Sequence, residues 1–199
     1  MTAREEGDGG TGGEARLRAA RAGDERPFLA LFEALDAESE YLLFEPGERS
    51  TTAAQMRARI VEGRRSGRET LIVAARRGAD GGTVLDGFVG GIAGAGWRNA
   101  HALNLVLGVR RAASGRGLGR RLLDALEAEA RANGIHRLGL GVMAGNDRAL
   151  ALYERAGFVL EGCRRDAVRL RSGYADEWFM GKLLTPSDEG PGPAFRPRP

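Results

Sequence analysis

Apolar residues along this chain recur at two different periods, and the changes of period mark out its elements. Phe28, Leu31, Phe32 and Leu35 fall on one helical face, with Asp24 before them as an N-cap, so the spacing predicts a helix to about Ala37. Met56, Ile60 and Val61 mark a second helix, capped by Thr51 or Thr52 and ending near Glu62. The clearest stripe is Leu118, Leu122, Leu126 and Ala130, widened by Leu123, which predicts a helix from Gly117 to about Asn133 closed by Gly134. Asn146 caps a short helix over 147–156, and Gly157 ends it. Apolar runs over 15–20, 69–76, 84–95, 101–109, 136–143, 159–170 and 177–184 read as strands. Turns are expected at 78–82 and around Ser172-Gly173, and a loop over 38–50.

The resulting order is β-α-α-β-β-β-α-β-α-β-β. Hairpins require antiparallel neighbours, whereas helical crossovers join parallel ones. The expected fold is therefore α/β (α+β), a mixed sheet of about seven strands with helices on both faces. Residues 1–13 are polar and glycine-rich, and 185–199 are rich in Pro and Gly. Neither can bury enough apolar surface to offset its ordering entropy, so both are expected to be disordered tails around one domain, 14–184.

The chemistry concentrates where the strand ending at Val109 meets the strongest helix. Between them lie Ser114, Gly115, Arg116, Gly117, Leu118, Gly119 and Arg120. Glycines let backbone N–H groups approach a ligand closely, and a helix N-terminus adds partial positive charge, so this junction reads as a cradle for phosphate. It is not a P-loop, because Arg120 follows Gly119 and Lys182 is the only lysine. It is not a dinucleotide fingerprint either, because Arg120 stands where a small residue must pack helix on strand.

Other classes are narrowed by composition. One cysteine, Cys163, excludes an internal disulfide framework, and with two histidines it leaves too few soft ligands for zinc, so no metal is expected. No run of about 18 apolar residues exists, and the N-terminus lacks a signal-peptide core, which predicts a soluble, cytoplasmic protein without a membrane partner. The net charge of +3 suits an anionic ligand, but no dense basic stripe supports nucleic acid.

Three blocks in order resemble the GNAT superfamily of N-acetyltransferases over about 15–184. These are V-x(4)-S-G-R-G-L-G from Val109 to Gly119, N-D-R-A-L-A-L-Y-E-R-A-G-F from Asn146 to Phe158, and the ending E-G-C-R-R…G-Y-A-D-E-W-F-M from Glu161 to Met180. The ending, with Arg98 and His101 before the central strand, is similar to the branch that includes amino-acid, polyamine and ribosomal-protein-type acetyltransferases. The resemblance implies a mostly antiparallel sheet and acetyl-CoA as co-substrate, its pyrophosphate on the glycine loop. It places the pantetheine arm along 105–109, where Leu107 and Val109 would pair with it, gives Asn146 a contact to that arm, and makes Tyr153 the general acid. Ser114 departs from the family's usual Gln or Arg, which puts affinity for acetyl-CoA in question.

The expected reaction is acetyl transfer to a primary amine of an amino acid-like small molecule or a peptide N-terminus, by direct attack in a ternary complex. Relatives are often dimers, so a homodimer is one expected assembly. Many relatives carry a carboxylate on the central strand, where this chain has Asn104; His101, Glu38, Glu40, Asp176, Glu177 or a water relay remain for the base. On the acceptor side, loops 38–50 and 171–176 are expected to line the pocket, and Arg98, Arg164, Arg165, Arg169 and Arg171 outnumber Asp166, Asp176 and Glu177, which favours an amine bearing an anionic group. Two other classes remain open: an acyl-CoA sensor without turnover and, more weakly, an RNA-binding surface.

Overall fold

In the computed structural model, which describes residues 14–184, the chain runs β1 (Arg16–Ala19), α1 (Glu25–Glu38), α2 (Ala53–Ser66), β2 (Glu69–Arg77), β3 (Thr83–Ala93), β4 (Ala102–Val109), a 3-10 turn (Arg111–Ala113), α3 (Leu118–Ala132), β5 (Arg137–Met143), α4 (Asp147–Arg155), β6 (Val159–Leu170) and β7 (Gly173–Leu183). The expected tails, 1–13 and 185–199, lie outside the described residues. All seven strands form one sheet in the order β1-β2-β3-β4-β5-β7-β6. Every neighbouring pair is antiparallel except β4 and β5, which the α3 crossover makes parallel.

The sheet separates two apolar layers. On one face the α3 stripe of Leu118, Leu122, Leu126 and Ala130 packs with Leu103, Leu105, Leu138, Leu140 and Met180. On the other, α1 and α2 bury Phe28, Leu31, Met56 and Ile60 against Leu71, Val73 and Phe88. Phe28, Phe32 and Phe88 form a triangle of rings with centroids 5.3–5.9 Å apart, tilted or edge-on as the ring quadrupoles favour. Both helices of this second layer pack on the β2–β3 half. The same face of the β5–β7–β6 half has no helix over it among the described residues.

Four local expectations are corrected by tertiary contacts. Asp24 precedes α1 but does not cap it with its side chain. Its carboxylate turns back to accept both arms of the Arg18 guanidinium, at 2.6 and 2.7 Å, and the Arg21 N–H at 2.8 Å. The second helix runs four residues past Glu62, because Gly63 fits closely against Glu69 and the left-handed Gly67 (φ 66°) supplies the stop. Thr52, not Thr51, caps it in a reciprocal box with Gln55, and Val61 is 49% exposed, outside its buried face. The last hairpin is longer than predicted, because β7 starts at Gly173 and pairs with Leu170 across a two-residue turn.

Asp24 is 2% exposed, and burial pushes its carboxyl up. The Arg18 hydrogen bonds, the Arg21 amide and the two positive charges outweigh this and hold it below the usual carboxylate range. A depressed carboxylate stabilises the fold above its unfolded pKa, about 3.9, and loses that contribution as pH falls toward the folded value. Asp24→Asn is therefore expected to cost about 1–3 kcal/mol at neutral pH. Its Tm should also fall less steeply than that of the wild type below about pH 4, which thermal melts across pH will check.

Candidate active-site cleft

Two features of backbone pairing create the cleft. The first is a split between β4 and β5. Their pairing runs only from Ala102↔Arg137 to Asn104↔Gly139, although β4 continues to Val109 and β5 to Met143. On its other edge β4 remains paired with β3 as far as Val109↔Gly87. Arg110 N–H donates to Asp86 O and Gly94 N–H donates to Ala102 O, so the even-numbered residues exchange bonds with β3. Alternation then turns the odd-numbered amides toward β5, and those of Leu107 and Val109 face the gap.

The second feature is the start of α3. After the 3-10 turn, the Ser114 hydroxyl donates to Arg110 O at 3.1 Å and fixes the loop entry. Gly115 (φ 78°) and Gly117 (φ 75°) then take left-handed backbone, which glycine adopts without steric cost. The N–H groups from Gly115 through Arg120 make no hydrogen bond among the described residues. They are the free donors of a helix N-terminus, with the helix dipole behind them.

A cavity of about 1100 Å³ joins the two features. Of the residues anticipated from sequence, it is lined by Leu107, Val109, Ser114, Gly115, Gly117, Leu118, Gly119, Arg120 and Asn146. Arg116 is exposed on the loop and does not line it. The Asn146 side chain accepts the Ala149 N–H at 3.1 Å, so its capping role is observed directly. Arg120 is partly committed elsewhere: it donates to Asp124 and to Arg155 O, both at 2.7 Å, tying α3 to the end of α4. Gly119 matters for packing, since a Cβ there would meet Leu152 at 3.1 Å.

Tyr153 is not in the cavity wall. It is 6% exposed and packs edge-on against Phe158 at 5.7 Å, one turn beyond Ala149, which does line the cavity. Burial alone pushes its phenol up to about 12, so it keeps its proton at neutral pH, and its hydroxyl forms no hydrogen bond among the described residues.

The expected loop 38–50 supplies further cavity residues, and Arg148 and Arg155, which carried no sequence signal, supply more. The segment from the end of α1 to Pro46 forms one wall, and Arg148 and Arg155 of α4 another. Glu38 fastens the first wall to the cradle: its carboxylate accepts the Arg111 N–H at 2.6 Å, and its carbonyl accepts the Arg111 guanidinium at 2.8 Å. Tyr41 Oη donates to Gly145 O at 3.1 Å, and Arg171 pairs with Glu45 at 3.2 Å. Of the two segments expected to line the acceptor side, 38–50 lines the cavity as far as Pro46, whereas 171–176 does not: 173–176 belong to β7, and Arg171 touches the first segment through that ion pair. Such long-range fastenings have no local period to betray them.

The base candidates separate clearly. Glu38 is engaged as described. Asp176 accepts the N–H of Asp166, a left-handed residue (φ 51°) inside the β6 bulge, and serves that distortion. His101 precedes β4, roughly 25 Å from Val109 along the strand by its rise, and its ring lies beside His136. Glu40 lines the cavity. Glu177 lies on the helix-free face, its carboxylate occupying the space a Cβ on Gly141 would need. Of the arginines expected on the acceptor side, Arg164 faces Glu177 at 3.6 Å, whereas Arg98, Arg165 and Arg169 are exposed.

Comparisons with known proteins bear on the family and the fold. Residues 30–158 match the model of the Acetyltransferase (GNAT) family. An L-methionine sulfoximine/L-methionine sulfone acetyltransferase of Pseudomonas paraeruginosa is 34% identical over 77 residues, 39% of this chain and 45% of that protein. The match thus spans less than half the length of that relative. A GNAT-family acetyltransferase structure from Streptococcus pneumoniae superposes with a TM-score of 0.79 at 26% identity, covering 85% of this chain and 99% of that one. A phosphinothricin acetyltransferase from Sinorhizobium meliloti, solved with acetyl-CoA, shares the fold with a TM-score of 0.72 at 21% identity, covering 89% and 95%.

Substituting Gly117 tests the cradle. A Cβ there meets no protein atom within 4 Å, so it would project into open space beside the free amides and force a left-handed valine. Gly117→Val is expected to cost about 1–2 kcal/mol of stability. It should also weaken CoA binding at least about tenfold, a loss of about 1.4 kcal/mol, in calorimetry on the folded variant.

Proposed function

The chain belongs to the GNAT acetyltransferase family, and from that premise we propose that it transfers the acetyl group of acetyl-CoA to a primary amine. The acceptor in this reading is an amino acid-like small molecule or a peptide N-terminus, attacked directly in a ternary complex. One observation carries the reading: the free amides of the α3 N-terminus and the open edge of β4 share a single cavity. A phosphate group fits the first, and an extended amide-bearing chain fits the second as a partial strand.

Each residue then has a task. Amides of 115–120 hold the pyrophosphate of acetyl-CoA, with the positive helix end and Arg116 adding charge. Leu107 and Val109 pair with the pantetheine arm, and Asn146 and Leu118 bound its path. A backbone N–H exposed at the split faces the thioester oxygen as charge builds on it, the arrangement that lowers the barrier most in acyl transfer. Acetyl-CoA supplies the activated acyl group; the chain orients it and excludes water.

Tyr153 is the proposed proton donor to the departing sulfur. Its support is its place in the N-D-R-A-L-A-L-Y block and a phenol kept protonated by burial with no competing acceptor. Its packing against Phe158 supplies a positioning role in either case. Tyr153→Phe preserves the ring contact and removes only the donor. The expected result is a fall in kcat of about 10²-fold with KM for acetyl-CoA nearly unchanged. A variant with wild-type kcat, under conditions where chemistry limits the rate, would return Tyr153 to packing alone.

The acceptor class favours an amine with an anionic group, because exposed arginines dominate the β6–β7 side. A panel of amino acids, peptides and polyamines, scored by thiol release from acetyl-CoA, tests the function as a whole. Turnover of carboxylate-bearing amines supports the reading. Turnover of spermidine alone would overturn the acceptor class, and acetyl-CoA binding without thiol release from any amine would identify a sensor.

A further inference from the structure

The helix-free half of the sheet carries a charged pair beside the β4–β5 split. On this face Gly139 and Gly141 of β5 have no side chains, and their neighbours lie over them. Asn104 Oδ1 is 2.9 Å from where a Cβ on Gly139 would stand, and the Glu177 carboxylate covers Gly141. Gly141 is two residues beyond Gly139, where β5 parts from β4. Glu177 therefore stands next to the opened segment, one strand from the gap, on the face opposite α3 and α4.

Arg164, across the β6–β7 pairing, completes the pair. Its Nη1 is 3.6 Å from Glu177 Oε2, beyond hydrogen-bond length, and its guanidinium stacks over Phe179 at 4.2 Å from the ring centroid. The stacking holds the guanidinium in place through its face, and at 67% exposure its edge N–H groups stay available. Arg164 is the one charged side chain paired with Glu177 among the described residues; β5 presents Met143 opposite it and Gly141 beneath its carboxylate, and Asn104 of β4 lies over Gly139.

We propose that Glu177 and Arg164 form the acceptor subsite, Glu177 taking the ammonium and Arg164 the carboxylate of an α-amino acid or peptide-like acceptor. An anion and a cation held side by side on a small-residue floor are complementary to a zwitterion that carries the same two charges in reverse order. The proposal rests on the acetyl-transfer reading and supplies its missing base. The bound ammonium gives one proton to the Glu177 carboxylate, and the freed lone pair forms the C–N bond at the thioester carbonyl. The C–S bond breaks with its electron pair on sulfur. The sulfur takes the Tyr153 proton, and the second nitrogen proton restores Tyr153. Glu177 then releases its proton to water, so the products are the N-acetylated amine, free CoA thiol and one proton.

The test uses the full chain with acetyl-CoA, a panel of L-amino acids and their methyl esters, and thiol release across pH. Glu177→Gln is expected to lose about 10²-fold in kcat/KM for the amine near neutral pH. Its rate should recover as pH rises toward the pKa of the amine itself, which then arrives already neutral, and Glu177→Asp should regain part of the loss. Arg164→Gln is expected to lower the ratio of kcat/KM for a free amino acid to that for its ester by about tenfold, the cost of about 1.4 kcal/mol of lost pairing. Acetyl-CoA affinity by calorimetry, unchanged in each variant, shows that the donor site is intact. An unshifted pH profile in Glu177→Gln, or an unchanged ester ratio in Arg164→Gln, on an active wild type overturns this subsite alone. A wild type that acetylates no amine overturns the function and the subsite together.

Discussion

The parting of β4 from β5 after a short stretch of pairing is the constraint on which the rest of the cleft depends. An unpaired strand edge inside a protein leaves N–H and C=O groups without partners, and folded chains rarely tolerate that unless water or a ligand satisfies them. Here the opened edge belongs to the one parallel pair among the described strands. The crossover between those strands is α3, whose own N-terminus also carries unsatisfied donors. Two deficits of hydrogen bonding, one from a strand and one from a helix, therefore face the same space. A ligand with an amide-bearing arm and a phosphate end can satisfy both.

Holding such a gap open requires support from outside it. The two apolar layers provide the bulk of that support, because β4 remains paired with β3 from Leu103 to Val109 and α3 is buried along its whole stripe. Polar fastenings supply the rest. Glu38 ties the end of α1 to the loop after β4, Arg120 ties α3 to α4, and Tyr41 ties the intervening segment to the turn before α4. Each links elements distant in sequence, so each sets the width of the cleft more than the stability of one element. The Glu38 contact also explains why a carboxylate that lines the cavity is poorly suited to proton transfer: the Arg111 amide already occupies it.

The sheet divides its work between its faces. The face under α3 and α4 carries the larger apolar layer beside the cavity, which suits a site that must exclude water from a reacting thioester. The opposite face is covered by α1 and α2 over β2 and β3 only, and its remaining half is floored by Gly139 and Gly141. Small residues there let polar side chains from neighbouring strands lie flat on the sheet. A second reactant can thus approach the split from a side that the first does not occupy.

Much of this architecture was legible in the chain. The helical stripes, the Asn146 cap and the glycine spacing before α3 are local, because dihedral preference, capping and amphipathic period act over a few residues. They determined the element order, the cradle and the family resemblance. What they did not determine was orientation between distant elements. Asp24 has the spacing of a cap, yet Arg18 draws its carboxylate away; Val61 sits in an apolar run, yet no layer covers it. Tyr153 matches its block but lies in the core beside the cavity, not in its wall. Glu177 reads in sequence as one of several base candidates, a charge on a final strand with nothing to single it out. Only strand register, which fixes what stands over a glycine of the neighbouring strand, placed it beside the split with Arg164. Register is set by the sum of many long-range contacts, and no short window of sequence contains that sum.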